Sequence, residues 1–249
     1  MALQEELEKQ GNFLFKYRSL LPLIILFIGI IVYTKYQIDT FVIKESIFQN
    51  IFEFICLFVC FIGLAIRVYT VGHTPKNTSG RNTESQIADE LNTSGIYSIV
   101  RHPLYLGNYF MWLGIAMLTL NFWFIIAFSL FYWIYYERIM FAEEQFLRKK
   151  YDKIYLEWAE QTPAFLPNFK NWKKPIIQFS WKKIVKKEKN GLVAIFILFF
   201  IFSSIEYFVD ENIIIARNWT LWTFILSLLF YGTVKLLTKK TKYLHEDGR

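Results

Sequence analysis

The chain has 249 residues, 54% of them hydrophobic and 20% aromatic, with Phe alone at 26 positions. That apolar content excludes a disordered chain, and two cysteines exclude a disulfide scaffold. The formal charge of +7 suits an anionic membrane surface better than nucleic acid, because the apolar residues gather into membrane-length runs.

Residues 1–12 are polar and acidic, and no small-residue cleavage site follows the apolar run Leu20–Tyr33, so the start does not read as a secretory signal. The first predicted span covers about 14–34, with Pro22 in its first turn. The second covers about 47–69, contains Glu53 and ends in Arg67. Within it Cys56 and Cys60, four apart, read as small buried hydrophobes. Leu104 to Tyr136 is 33 residues without a charge, about 50 Å as one helix against a hydrocarbon core of about 30 Å. It must tilt severely or fold back, and Asn121 is the polar break between two apolar halves. The prediction is a tight hairpin of helices 103–120 and 122–139. Two further spans follow at about 191–209 and 218–236. The fold class is therefore all-α, a polytopic membrane bundle of about six helices with a cytoplasmic amphipathic segment after the hairpin.

Six spans place 25 of the 28 Lys and Arg on one side and leave Lys35, Lys44 and Arg217 on the other. The positive-inside rule then puts both termini in the cytoplasm of an integral membrane protein, in the cytoplasmic membrane if the cell is bacterial. The chain divides into an N-terminal span and loop (1–46), a core (47–169), a basic interfacial linker (170–190) and two C-terminal spans with a tail (191–249). The linker's lysines and Trp172 and Trp181 suit lipid headgroups.

Chemistry concentrates in two cytoplasmic pieces. In the run from Gly95 to Gly107, Pro103 suits the first position of a helix, which needs no N–H there. Arg101 and His102 then stand at the positive end of a membrane helix, where free N–H groups, the dipole and a guanidinium make an anion site. Tyr105 lies one turn on, and Gly107 and Gly114 allow close approach of a neighbouring helix. After the hairpin, spacings of three and four put Met140, Leu147, Tyr151, Ile154 and Trp158 on one stripe of a helix. Glu143 and Glu144 flank that stripe, and carboxylates so placed need partners such as Arg101 or His102. Between the pieces, the loop 74–83 is dense in hydroxyl, amide and basic donors. With Arg67, Arg81 and Arg101 it suits an anionic headgroup. His73 and His245 have no neighbouring ligand set, so no metal site is predicted.

Arg101-His102-Pro103-x-Tyr105-x-Gly107, a membrane hairpin, Glu143-Glu144-x-x-Leu147, then Tyr151, Tyr155, Pro163 and Pro167 resemble the isoprenylcysteine carboxyl methyltransferase family. That family shares its core with the phospholipid N-methyltransferases. The resemblance covers about 60–169. It implies an S-adenosylmethionine (SAM)-dependent methyltransferase acting on a membrane lipid or lipidated acceptor, with no metal and no nucleic acid. SAM would sit at the cytosolic ends of the hairpin helices. Tyr97, His102, Pro103, Tyr105, Glu143, Glu144 and Tyr155 are then the cofactor-binding candidates and Arg101 the catalytic one. Arg67, Arg81 and Gln161 are the substrate-binding candidates. Three positions depart from the family's habit: Asp152 stands where Gly is frequent, Trp158 where Tyr is frequent, and Gln161 where the carboxyl methyltransferases carry Arg. The last departure, with Arg67, Arg81, Arg101 and the 74–83 loop, favours an anionic lipid headgroup, in chemical terms a phosphate, over a prenylcysteine carboxylate, with a phospholipid amine a further alternative. An NADPH-dependent reductase of the sterol-reductase type is the alternative enzyme, and a transporter or scaffold the alternative outside catalysis.

Overall fold

A computed structural model describes residues 2–39, 47–75, 86, 88–211 and 217–246. Among them lie seven α-helices and no strand. They are α1 (Leu3–Lys16), α2 (Leu20–Asp39), α3 (Ile47–Gly72), α4 (Pro103–Met117), α5 (Phe122–Gln161), α6 (Trp181–Glu211) and α7 (Asn218–Lys240). The bundle is thus all-α, as its periodicity predicts. Five helices (α2, α3, α5, α6 and α7) are long and apolar enough to cross a membrane. The sixth predicted span is α4, whose 15 residues reach only about 22 Å.

The N-terminus differs from the prediction. Residues 14–18 do not begin the first span; they close α1, a separate amphipathic helix lying along α5. Arg18 Nη1 donates to Phe15 O at 2.9 Å and its guanidinium stacks over the Phe15 ring at 3.9 Å, so the chain turns before α2 starts at Leu20. Tyr135 Oη donates to Leu14 O at 3.1 Å, and Lys149 pairs with Glu8 at 2.5 Å, joining α1 to α5.

The hairpin forms where expected. The chain reverses through Leu118–Asn121, with Leu120 at φ 54°, and Asn121 caps α5 by accepting from Phe124 N at 2.9 Å. Helix α4 lies between two cores, with Trp112 touching both. One, built on Tyr33, Cys56, Cys60, Leu64, Ile195 and Phe199, joins it to α2, α3 and α6. The other, built on Phe15, Phe128, Tyr132, Tyr136, Ile139 and Met140, joins it to α1 and α5. The predicted close approach at Gly107 and Gly114 is made by α3. A Cβ on Gly107 would stand 2.7 Å from Arg67 Cγ and 2.8 Å from Gly63 O, and one on Gly114 would overlap Cys60 Sγ. Both cysteines are fully buried free thiols at this contact.

Two further predictions change. Residues 181–190, expected in the basic linker, are the first turns of α6, which runs unbroken from Trp181 to Glu211. Lys183 is not on the headgroups: it is buried, and Nζ donates to Thr74 O (2.6 Å), Thr74 Oγ1 (3.1 Å) and Pro75 O (3.0 Å) just past the end of α3. The amphipathic stripe after the hairpin is also not continuous. Asp152, at φ 46° and ψ −119°, interrupts helical geometry inside α5. The break turns the residues after it, so Tyr155 is buried while Ile154 is 66% exposed. A straight 3.6-residue period cannot anticipate such a phase change.

Candidate active site

The site forms where the start of α4 meets α5 just beyond its uncharged stretch. His102 is the N-cap residue of α4 and Pro103 the first helical residue, so the helix begins without needing the missing N–H. Tyr105 follows His102 on the same face, with ring centroids 5.9 Å apart. On the facing helix, Glu143 and Glu144 lie one and two residues beyond the buried Ala142, so their carboxylates turn toward α4.

The contacts are short. His102 Nε2 lies 2.8 Å from Glu144 Oε1, and Nδ1 lies 3.8 Å from Glu143 Oε2. The Tyr105 hydroxyl donates to Glu143 Oε1 at 2.6 Å. Arg101 Nε forms an ion pair with Glu144 Oε1 at 3.1 Å, and Nη1 donates to Ala159 O at 3.2 Å. His102 is 6% exposed at its side chain, against 19–25% for Arg101, Glu144 and Glu143. The imidazole thus forms the floor, and the charged groups reach an opening.

The backbone after α5 holds this arrangement in place. Arg101 N donates to Pro163 O (2.9 Å), His102 N to Ala164 O (3.2 Å), and Asn168 N back to Ile99 O (2.9 Å). The segment 162–168 therefore runs beside 99–102, which explains why prolines, lacking a donor, are tolerated at 163 and 167. Trp158 Nε1 donates to Tyr97 O at 3.1 Å, fixing the short 3-10 turn Ile96–Ser98. Burial raises the Tyr97 phenol above its ordinary range, the Glu143 carboxylate adds to that rise, and Arg67 opposes it. Tyr97 is therefore a neutral donor at physiological pH.

Of the predicted residues, the structure brings together Arg101, His102, Pro103, Tyr105, Glu143, Glu144 and Tyr155, with Tyr97 beside them. The Tyr155 hydroxyl is buried beside Glu144 without a hydrogen bond of good geometry. Gln161 ends α5 with its side chain exposed, and its carbonyl accepts from Asn171 Nδ2. Arg67 lies on α3 against the start of α4, where Glu188 and Asn108 bind it. Arg81 and the rest of the 76–85 stretch lie outside the described residues. Sequence reasoning misses Tyr132 and Tyr136, which stack at 4.2 Å behind the site, Tyr132 Oη donating to Tyr105 O at 2.8 Å. Their one signal is the four-residue spacing of two phenols in an uncharged helix.

Known proteins carry the same stretch of chain. Residues 54–154 match the model of a family described as phospholipid methyltransferase. The matched segment holds most of α3, all of α4 and most of α5, and with them every residue of the Arg101–Glu144 cluster. Outside the matched segment lie α1, α2, α6 and α7. A protein-S-isoprenylcysteine O-methyltransferase of Schizosaccharomyces pombe is 37% identical over 78 residues, 31% of this chain and 33% of that protein. One from Tribolium castaneum is 26% identical over 123 residues, 47% of this chain and 42% of its own. The cobalt-zinc-cadmium resistance protein CzcN of Cupriavidus metallidurans is 33% identical over 89 residues, 36% of this chain and 38% of its own. The chain thus spans between a third and a half of these three relatives. No solved structure gives a significant match.

Proposed function

We propose that the chain is a SAM-dependent methyltransferase acting on an anionic, membrane-resident acceptor. The observation that carries this reading is the Arg101–His102–Glu143–Glu144 cluster, half-open at the mouth of a membrane hairpin, inside the matched segment. The residues present fit SAM. Two carboxylates attract a molecule bearing a sulfonium and an ammonium. SAM, when bound, supplies an electrophilic methyl with a neutral thioether as leaving group.

The protein's part is alignment. Methyl transfer is an in-line displacement that needs acceptor and methyl held at about 3–3.5 Å with water kept out. His102 and Tyr105 lock the two carboxylates in place, so the negative potential is preorganised. Arg101, anchored through Ala159 O and Glu144, presents a guanidinium to an acceptor oxygen that is already an anion. No general base is then required. Tyr132 and Tyr136 close the rear with stacked rings.

The names of the relatives in Schizosaccharomyces pombe and Tribolium castaneum support a prenylcysteine carboxylate as acceptor, while Gln161 and the donor-rich 74–83 loop support a lipid phosphate. Both are anionic oxygens suited to Arg101. The test is purified full-length protein in nanodiscs with methyl-labelled SAM. It is offered N-acetyl-S-farnesylcysteine, phosphatidic acid or phosphatidylethanolamine in parallel. Label in either anionic acceptor is the expected result, and which one takes it decides between them. Label confined to phosphatidylethanolamine overturns the anionic reading, and no label with no SAM binding overturns methyl transfer. For orientation, with both termini and the site cytoplasmic, K182C is shielded from an impermeant thiol reagent in intact cells and N121C is labelled.

A further inference from the structure

Helix α6 opens with a lysine-rich run, Trp181–Asn190, in which Glu188 is the one acid. A lone carboxylate among lysines would ordinarily face water, yet this side chain is 5% exposed. It points across the bundle to Arg67 of α3 and makes a two-pronged pair with it. Arg67 Nε donates to Glu188 Oε2 and Nη2 to Oε1, both at 2.7 Å. Such a fork fixes the guanidinium plane as well as its position. The third arm, Nη1, donates to Asn108 Oδ1 at 2.7 Å.

Asn108 and Gly107 belong to the first turns of α4, the helix that His102 caps and that carries Tyr105. The backbone of α4 rests on the Arg67 side chain at Gly107, where even a Cβ would come within 2.7 Å of Arg67 Cγ. Arg67 is therefore a spacer under α4 and a hydrogen-bond tether to it. What holds the spacer still is Glu188, outside the matched segment. We infer that Glu188 is a positioning residue of the methyl-transfer site, acting through Arg67 on the start of α4. On this account, α6 is a working part of the catalytic core. The inference rests on the methyltransferase reading, since the groups it aligns are the proposed SAM ligands.

Loss of the charged fork lets Arg67 swing, α4 shifts by a fraction of its pitch, and His102 and Tyr105 move off Glu144 and Glu143. Misplacement of about 1 Å at such a site costs up to about a hundredfold in rate. The test is SAM titration of the folded, full-length protein in detergent, with unfolding midpoints measured without ligand. E188Q keeps the shape but not the charge, and its SAM affinity is expected to fall by about tenfold, with E188D recovering to within about threefold of wild type. E188Q/R67M is expected to bind no more weakly than E188Q alone, because both act through one contact. Wild-type SAM affinity in E188Q overturns the inference, even with a lowered unfolding midpoint, since the pair is then merely structural. So does weakened affinity that E188D leaves unrestored. If E188Q does not fold, R67K, which keeps the charge but cannot form the fork, carries the same test with the same two outcomes. A wild-type protein that binds no SAM overturns the methyltransferase reading and this inference with it. Binding by wild type and equally by E188Q overturns the inference alone.

Discussion

The bundle holds two clusters built from the same parts, two glutamates and an arginine, and they differ in what surrounds them. At the α4–α5 end, Arg101 meets Glu144 with Glu143 alongside, and their side chains are 19–25% exposed. At the other end of the helices, Arg217 meets Glu206 at 2.8 Å and Glu53 at 3.2 Å, with exposures of 7–12%. There Arg217 also donates to Asn50 Oδ1 at 2.6 Å, and its backbone N–H donates to Ser203 Oγ at 2.9 Å. Tyr33, Phe199 and Phe202 line the space beside Glu53. The first cluster has an imidazole and phenols as additional partners and an opening; the second has apolar walls. Composition alone cannot tell a ligand site from a structural tie: access does. Buried charge without access joins α3, α6 and α7, whereas half-open charge beside a helix start is available for binding.

The largest effect should come from breaking the closed cluster. R217M leaves two carboxylates buried without their cation, at a cost of about 3–5 kcal/mol, read as a collapse of the unfolding midpoint in detergent or loss of expressed protein. R101M should fold with a midpoint near wild type, because Glu144 keeps His102, while methyl transfer falls by about a hundredfold. An R101M protein that unfolds as R217M does would break the comparison.

Smaller, and specific to the open cluster, H102A and E144Q each remove a charge-assisted contact worth about 2 kcal/mol, roughly thirtyfold in affinity. The measurement is calorimetric SAM titration, with insertion and yield unchanged. Next, G107A forces α4 off Arg67 and Gly63, an overpacking cost of about 1–3 kcal/mol. The unfolding midpoint should drop, and SAM affinity should weaken in the same variant because α4 carries His102. The smallest effect is favourable. Asp152 holds a positive φ that suits glycine, so D152G should raise stability by about 1 kcal/mol, the relieved strain outweighing glycine's greater unfolded freedom. A D152G protein with a lowered midpoint would sink that account of the kink.

Much of the site is legible in the sequence because its parts are close along the chain or obey strong local rules. Pro103 at the helix start, Asn121 at the hairpin turn and the glycines seven apart each specify backbone geometry within a few residues. Glu143 and Glu144 can be assigned partners because carboxylates beside an apolar stripe are costly unless paired. Trp158 is part of the same frame, its indole N–H reaching Tyr97 O. Asp152 holds a positive φ, a backbone conformation that suits glycine. The resulting rotation of Tyr155 and Ile154 is nonetheless invisible to a constant period.

Period, length and local charge in the sequence by themselves determined an all-α membrane bundle, a hairpin between 103 and 139, and a polar mouth at Arg101–Tyr105. Those features depend on backbone hydrogen bonding and the cost of desolvating charge, and both are set residue by residue. The tertiary structure alone decided which charges face a ligand and which face each other. Arg67 and Glu188 stand 121 positions apart, and Arg217 and Asn50 stand 167 apart. A pair at such separation is chosen by how helices pack, through small residues such as Gly107 and through the space left between them, and no local pattern encodes that choice.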